Sequence, residues 1–431
     1  MALTGRAGLL ALAGAVVVGF LLPSGWGLLL VTGLVLAAVA VDVALAGSVR
    51  ALQLTRSGDQ AVRLGEAATV TLTVANPTGR RVRGRLRDAW PPSAGAAQQR
   101  HDLDLPAGER VRVVTTLRPT RRGDRPAHRV TVRALGPLGV AGRQGSHVVP
   151  WRVRALPPFT SRRHLPGKLA RLRQLDGRAA ALVRGQGTEF DSLREYVVGD
   201  DVRSIDWRAS ARAADVMVRT WRPERDRRIL LVLDTGRTAA GRVGDAPRLD
   251  TSMDAALLLA ALASRAGDRV DLLAYDRRVR ARVEGASVTE LLPSLVEAMA
   301  PLEPALIEPD YAGLVSTVLA RASHRSLVVL LTGLDAAPVE EGLLPVLPQL
   351  VRRHRVVVAS VADPQVELMA AARGEVAAVY DAAAAERSRT DRRRVAEQLG
   401  HRGVEVVDAA PDELASMLAD RYLALKAAGR L

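Results

Sequence analysis

Two long apolar runs separated by a short break open the chain, and they restrict its fold more than any other feature. Residues 7–22 are all apolar or glycine, and residues 27–47 form a second run whose one charged residue is Asp42. At about 1.5 Å per residue, the second run is long enough to cross a bilayer core, and the first is at the short limit. We therefore predict a two-helix transmembrane hairpin over residues 1–50.

Basic residues lie only outside the two runs, at Arg6 and Arg50, and the connecting turn holds Trp26, which suits a membrane interface. The positive-inside rule then places both ends, and the bulk of the chain, on the cytoplasmic side of a bacterial inner membrane. The alternative is a signal peptide over residues 1–24, although the second run would still anchor the chain. We expect Asp42 near the headgroups or facing the first helix, rather than in a proton relay.

Short alternating runs follow the hairpin and are typical of strands. Residues 69–74 alternate strictly and end in a turn cluster, and residues 81–87, 110–114 and 128–133 repeat the pattern. The spacing predicts an all-β, sandwich-like module over residues 51–150. Arginines on these strands indicate a solvated face, with attraction to anionic lipid as a second interpretation. They are not interleaved with aromatic residues, so we expect no nucleic-acid partner.

The composition and the missing motifs exclude several kinds of site. The chain has no cysteine, which excludes disulfides, thiolate nucleophiles and zinc–thiolate centres. Its net charge of +15 is carried mostly by arginine. The sequence contains no P-loop, nucleophile elbow or H-E-x-x-H motif. We therefore expect no small-molecule substrate. We also expect His324 and His354, which flank predicted strands, to be surface or capping residues.

We predict a basic linker and signature segment over residues 151–228. The most distinctive sequence motif of the chain lies within it. Residues 185–212 read GQGTEFDSLREYVVGDDVRSIDWRASAR. Interspersed acids and arginines predict a network of Arg–carboxylate pairs with Trp207 packed beneath it. An acidic run could also bind metal or act in acid–base catalysis, but the nearby arginines favour a structural or partner-binding role. The candidate residues are Glu189, Phe190, Arg194, Tyr196, Gly199, Asp200, Asp201, Arg203, Asp206, Trp207 and Arg212.

This signature segment resembles the domain of unknown function 58 family, whose pattern is G-x-G-x-E-F-x-x-L-R-E-Y-x-x-G-D-D-x-R-x-I-D-W-x-x-S-A-R. The match is nearly complete, and the resemblance continues to the C-terminus. It implies a von Willebrand factor type A-like domain downstream and a frequent association with MoxR-type AAA+ ATPases. An N-terminal membrane hairpin and a β-rich insert are also typical of that family, whose biochemical activity is unsettled.

Beyond residue 228 the pattern changes to continuous apolar runs that alternate with stretches typical of helices. Residues 229–233 read as a strand buried on both faces of a parallel sheet. Repeated strand–helix alternation predicts a doubly wound α/β domain over residues 229–431. In such sheets, sites form at the carboxyl ends of the strands.

The type A resemblance implies a Mg²⁺ site at that sheet end, built on an Asp-x-Ser-x-Ser loop. Here Asp234 is kept, glycine replaces the first serine, and Thr238 can replace the second. Glycine also stands at 333, where a later aspartate would be expected. The prediction is a weak, degenerate metal site of Asp234 and Thr238, with Asp335 or Asp310 as further ligands. The alternative is a metal-free scaffold whose loops bind protein.

Taken together, these features favour a membrane-anchored protein-binding scaffold and not an enzyme. The resemblance implies that it docks a MoxR-type AAA+ ATPase or its client during assembly or maturation of a complex. One alternative is a metal-assisted hydrolase that uses the acidic signature segment. The other is a structural cell-envelope protein without a switchable site.

Overall fold

The computed structural model describes residues 1–182, 189–213, 215–222 and 227–431. The chain divides into two compact units, Met1–Leu156 and Pro157–Leu431. The predicted hairpin and β-module fall in the first unit, and the signature segment and α/β domain fall in the second. Each unit is described separately below.

The first unit combines two apolar helices with a set of mostly antiparallel strands, of which only the pair β3–β9 is parallel. Its elements are β1 (Ala2–Leu3), α1 (Gly5–Phe20), α2 (Gly25–Leu45), β2 (Gln53–Gly58), β3 (Ala61–Arg63), β4 (Ala68–Ala75), β5 (Val82–Asp88), β6 (Arg100–Leu105), β7 (Arg110–Leu117), β8 (Gly123–Leu135) and β9 (Ala141–Leu156). By length and composition α2 could span a membrane, whereas α1 is a shorter apolar helix. Most of their large apolar side chains are exposed.

The strands form two sheets, as the alternating pattern predicts for a sandwich-like module. One follows the order β1-β9-β8-β5-β6 with β3 pairing along β9, and the other has the order β2-β4-β7. Strand β4 buries every second residue, and Leu72 and Val74 share one core with residues of the other sheet, such as Leu86. This one-sided burial is the physical reason that a period of two predicts these strands.

A buried ion pair links the two sheets. Arg56 on β2 pairs with Asp88 on β5, and both side chains are almost completely buried. The indole N–H of Trp90 donates to the second oxygen of Asp88 at 2.9 Å, and the Arg56 guanidinium lies 5.6 Å from the Trp90 ring centre. A buried charge is tolerated because it has a partner of opposite sign and further hydrogen bonds.

Asp42 joins α2 to the β-module. Its carboxylate is fully buried and accepts backbone N–H groups of Leu138, Val140 and Ala141 at 2.8, 2.6 and 2.9 Å. Leu138 and Val140 belong to the turn between β8 and β9, and Ala141 is the first residue of β9. The structure therefore gives Asp42 a partner that the sequence did not indicate, a backbone segment 96–99 residues away.

The N-terminus meets the same turn. Strand β1 extends the sheet by pairing with Ala141 and Gly142 at the start of β9. The Thr4 hydroxyl donates to the carbonyl of Gly139 at 2.7 Å. A strand before α1 was not expected, because a two-residue strand leaves no periodic signal in the sequence. The result is a joint in which the start of α1, the end of α2 and the β8–β9 turn contact one another.

The second unit consists of α3, a β-hairpin and an α/β domain. Its elements are α3 (Leu165–Leu182), β10 (Glu189–Glu195), α4 (Trp207–Ala213), β11 (Met217–Arg222), β12 (Arg228–Asp234), α5 (Arg237–Ala240), β13 (Arg242–Val243), β14 (Ala246–Pro247), α6 (Arg248–Arg265), β15 (Arg269–Tyr275), β16 (Val279–Val283), α7 (Val288–Met299), α8 (Tyr311–Arg321), β17 (Leu327–Leu331), α9 (Leu344–Val351), β18 (Arg355–Val361), α10 (Pro364–Ala371), α11 (Val376–His401), β19 (Glu405–Ala409) and α12 (Leu414–Ala427).

The α/β domain is built on a six-stranded sheet in the order β16-β15-β12-β17-β18-β19. All neighbours are parallel except β16, which runs antiparallel at the edge. Residues Leu230 and Val232 pack toward α8, α9 and α11, while α6 and α12 cover the other face. Helices on both faces make this the doubly wound arrangement that the strand–helix alternation predicts.

Two local predictions in this unit differ from the structure. The helix expected over residues 339–353 begins as a π-helical turn at Pro338–Leu343 and continues as α9, with Pro348 inside it. His354 is only 4% exposed, and neither ring nitrogen has a hydrogen-bond partner in the described part of the chain. The expectation of a surface or capping role is wrong for His354, and burial together with Arg353 lowers its pKa.

Candidate functional site

Asp234 ends the central strand β12 at the point where the sheet order reverses. The chain continues from β12 to β15 on one side, while β17 lies on the other, so the loops diverge there. Asp234 is 2% exposed, and its carboxylate accepts the hydroxyls of Thr238 and Thr332, the latter at 2.6 Å. The backbone N–H of Gly236 donates to its other oxygen at 2.7 Å. Both oxygens of Asp234 are therefore hydrogen-bonded within the domain.

The network continues to Tyr311 at the start of α8, whose hydroxyl lies 3.1 Å from that of Thr332. Burial raises the pKa of Asp234, and the nearby charge of Asp276 raises it further, whereas the two threonine hydroxyls and the Gly236 amide oppose this rise. Burial and the charge of Asp234 also raise the pKa of Tyr311. The centre of the site is thus a desolvated carboxylate held by neutral donors.

The two carboxylates predicted as further metal ligands have other partners in the structure. Asp335 lies 3.2 Å from the Arg248 guanidinium, and Asp310 caps α8 by accepting the amide of Gly313. A side chain at Gly333 would start 3.4 Å from the same guanidinium. Asp234 accepts three hydrogen bonds, and Asp276 is a second buried carboxylate at this sheet end, which accepts the hydroxyl of Thr235 at 3.4 Å. No cluster of three or more His, Cys, Asp or Glu ligands occurs among the described residues.

Sequence reasoning found Asp234 and Thr238 and missed Thr332, Tyr311 and Arg248. A signal for Thr332 was present, because a hydroxyl directly after a buried strand must lie at the carboxyl end of the sheet. Arg248 offers no such signal: it begins α6, and only the turn through β13 and β14 brings it to Asp335.

The signature segment folds as the hairpin β10–β11 with α4 between the strands. Arg194 pairs with Asp200 at 2.5 Å, and the other oxygen of Asp200 accepts the amide of Val197 at 2.9 Å. The hydrogen bond to Asp200 raises the pKa of Arg194. Gly199 has a φ of 112°, a left-handed value that glycine adopts without strain, and it turns the chain back toward Arg194.

Two further acids of the segment, Asp201 and Asp206, cap local helical turns. Asp206 accepts the amides of Arg208 and Ala209, each at 3.0 Å, and pairs with Arg219 on β11 at 2.7 Å. The amide of Ala209, followed by Arg219, lowers the pKa of Asp206. Asp201 accepts the amide of Arg203 at 2.9 Å in a short 3₁₀ turn. These carboxylates therefore stabilise the segment from within.

The predicted placement of Trp207 beneath the network is wrong, because its side chain is 70% exposed. Val197 and Val198 are also exposed, at 62% and 95%. We call Val197, Val198 and Trp207 the exposed apolar face of the segment. In the predicted network the indole would pack beneath the ion pairs. In the structure, Asp200 and Asp206 instead accept backbone amides and pair with Arg194 and Arg219, and the indole stays exposed.

Other predicted residues of the segment have mixed outcomes. The amide of Tyr196 donates to the carbonyl of Val216 at 2.7 Å, which continues the hairpin beyond β10. The side chains of Arg203 and Arg212 take part in no ion pair within the described ranges. The backbone of Glu189 and Phe190 pairs with β11, but their side chains, and all of residues 185–188, lie outside the described residues.

Comparison with known proteins matches the second unit to a family. Residues 192–401 match the family described as "Protein of unknown function DUF58". An uncharacterised protein of Mycobacterium tuberculosis and another of Mycobacterium bovis are each 26% identical over 193 residues, which is 44% of this chain and 60% of theirs. The chain thus spans about 60% of the length of these relatives.

Solved structures show only partial likeness. The CARDB domain of a Pyrococcus furiosus protein, solved in complex with di-metal ions, is 18% identical with a TM-score of 0.19, and covers 24% of this chain and 86% of that domain. The RO (RSR) protein of Deinococcus radiodurans is 16% identical with a TM-score of 0.24, over 48% of this chain and 35% of that protein. TM-scores this low carry no conclusion about function. The sequence match therefore shows that residues 192–401 of this chain are similar to the DUF58 family.

Proposed function

We propose that this chain is a membrane-anchored scaffold that binds a protein partner, and that the exposed apolar face of the signature segment belongs to the docking surface. The observation that carries the proposal is the exposure of Trp207, Val197 and Val198 on a segment in which Asp200 and Asp206 accept internal hydrogen bonds. Exposed tryptophan is rare on surfaces without a partner and is enriched in the residues that dominate binding energy.

The class of partner comes from the family resemblance. It implies a MoxR-type AAA+ ATPase, or a client of that ATPase, and a von Willebrand factor type A-like character for the α/β domain. The strand order and the position of Asp234 at the switch point are consistent with that character. In this proposal the loops around Asp234 serve as a second, metal-independent part of the docking surface.

Membrane anchoring rests on α2, whose 21 residues are apolar enough to cross a bilayer. Together with α1 it would place both ends of a hairpin on the cytoplasmic side of the inner membrane. The scaffold would then hold its partner close to the membrane surface.

A hydrolase that uses the acidic segment is less well supported. A general base needs a lone pair directed at its substrate. Asp200 and Asp206 instead accept backbone amides and arginine donors. We therefore propose only the docking function.

The test is equilibrium binding between the full chain in lipid nanodiscs and a purified MoxR-type ATPase encoded in the same genome. Trp207→Ala should weaken binding by about 30-fold, the effect of losing an interface hot spot of roughly 2 kcal/mol. Tyr380→Ala is the matched control, because Tyr380 is 75% exposed on α11 of the same unit and should leave affinity unchanged. Equal affinities for the wild type and Trp207→Ala would contradict the proposed surface.

A further inference from the structure

The joint between the two helices and the β-module carries four arginines, which we call the basic collar: Arg6, Arg50, Arg80 and Arg143. Arg6 lies in the first turn of α1, and Arg50 follows the end of α2 by five residues. Arg143 donates from Nε to the carbonyl of Val43 at 2.8 Å, and Arg80 donates from Nη1 to the carbonyl of Ala44 at 3.2 Å. Both carbonyls belong to the last turn of α2, where helix carbonyls have no partner within the helix.

Most of the hydrogen-bonding capacity of the collar remains unused. A guanidinium has five N–H donors, and Arg80 and Arg143 each spend one on the end of α2. Arg6, Arg50 and Arg80 are exposed, and Arg143 is partly exposed. In residues 1–156, all of which the structure describes, no ion pair involves any of the four.

The carboxylate of Asp42 lies in the last turn of α2 but forms no ion pair with these four arginines. Asp42 is fully buried, and its two oxygens are occupied by the three backbone amides of the β8–β9 turn and the start of β9. Arg6 lies against the same turn, with Nη1 2.8 Å from the position that a Cβ of Gly139 would take. The collar therefore presents positive charge and free donors around the joint, and the exposed acid Asp104 on β6 pairs with Arg81 and Arg83 instead.

The helix ends fix the level of the collar relative to a bilayer. Because Arg6 lies in the first turn of α1 and Arg80 and Arg143 bind the end of α2, the collar lies where an inserted hairpin leaves the hydrocarbon core. Lipid phosphates occupy that level, and a basic residue there gains affinity for anionic lipid. Guanidinium groups bind phosphate through charge-assisted, often bidentate hydrogen bonds.

We propose that the basic collar binds the phosphate groups of anionic phospholipids and so fixes the β-module on the membrane surface. The inference rests on the membrane anchoring proposed above. It assigns a ligand to the joint itself, whereas the partner surface lies in the other unit.

The test uses the full chain in dodecyl maltoside micelles, titrated with phosphatidylglycerol and followed by native mass spectrometry. Arg6→Gln/Arg50→Gln is the main variant, because neither residue caps α2. At about five-fold per arginine, the double variant should bind phosphatidylglycerol about 25-fold more weakly. Binding by the wild type should also weaken in high salt.

A matched control comes from the opposite end of the β-module. There Leu117 pairs with Ala68, whereas Ala75, at the other end of β4, pairs with Gln53, close to the helices. Arg118 and Arg121 follow Leu117 and are exposed. Arg118→Gln/Arg121→Gln should leave lipid binding unchanged.

Three results would contradict lipid binding by the collar. They are equal retention of phosphatidylcholine and phosphatidylglycerol, an equal loss of lipid affinity in both double variants, or complete displacement of the lipid by inorganic phosphate. Extraction of the wild-type chain from membranes by alkaline carbonate would instead contradict the anchoring on which the inference rests. If the chain stays in the membrane without preference for anionic lipid, only the collar fails.

Discussion

Asp42 and Asp234 are both buried carboxylates at the end of an apolar element, and both could be mistaken for chemical groups from the sequence. Asp42 lies in an apolar helix, where an ionisable residue suggests proton transfer, and Asp234 occupies the first ligand position of a degenerate metal motif. In the structure each accepts three hydrogen bonds. Both are saturated, but their donors differ in kind.

The difference lies in what the donors can do when the carboxylate is lost. The donors of Asp42 are backbone amides of the β8–β9 turn and the start of β9, which cannot rotate to another acceptor. Two donors of Asp234 are hydroxyls, which can rotate, and Thr332 already lies 3.1 Å from the Tyr311 hydroxyl. We therefore interpret Asp42 as a structural link between α2 and the β-module, and Asp234 as the centre of a loop cluster whose hydroxyl hydrogen bonds can rearrange.

Asp42→Ala should have the largest effect, because three buried N–H groups lose their acceptor. We expect a loss of about 4 kcal/mol in the free energy of unfolding of the first unit. Hydrogen exchange of the full chain in detergent should show protection lost around residues 136–141. Asp102→Ala is the control: that carboxylate is 92% exposed and 3.4 Å from Arg85, so its loss should cost under about 1 kcal/mol. Similar exchange in the two variants would contradict a structural role for Asp42.

Asp234→Ala should have a smaller effect, of about 2 kcal/mol, because its hydroxyl donors can find other acceptors. The expected readout is faster exchange in β12, with the first unit unchanged. Asp335→Ala, which removes a half-exposed partner of Arg248, serves as the control in the same unit. A cost equal to that of Asp42→Ala would remove the distinction between the two sites.

The pH dependence of the free energy of unfolding should show the smallest effect of the three, and it tests the protonation behaviour of Asp234. Because burial raises its pKa, the folded state holds the proton more tightly than the unfolded state does. The stability from this group is therefore present at acidic pH, below the unfolded pKa, and is lost as pH rises through the folded pKa. Asp234→Asn should remove this component when urea unfolding of β12 is followed across that range. An unchanged pH profile in the variant would show that Asp234 is not the group responsible.

Much of the fold could be predicted because hydrophobic period and burial agree. The alternation in residues 69–74 and the continuous apolar run at 229–233 correspond to β4 and β12. The features that were not predicted depend on long-range contacts. The two-residue strand β1 pairs with β9 about 140 residues away, and His354 is buried by tertiary packing. Local sequence carries no record of such contacts.

The candidate sites were predicted less completely, for a related reason. The sequence indicates that Asp200 and Arg194 could pair, since they lie six residues apart, and they do. It could not show that Asp206 pairs with Arg219 across the hairpin, nor that this arrangement leaves Trp207 exposed. Proximity in sequence predicts possible ion pairs, but strand register decides which of them form.

Site-specific photocrosslinking tests the central claim most directly. A photoreactive residue at Val198, in the full chain reconstituted with the MoxR-type ATPase in nanodiscs, should crosslink to the ATPase, whereas the same group at Tyr380 should not. Crosslinks at Val198 to lipid alone, or equal crosslinking from both positions, would contradict a scaffold that docks its partner through the exposed apolar face of the signature segment.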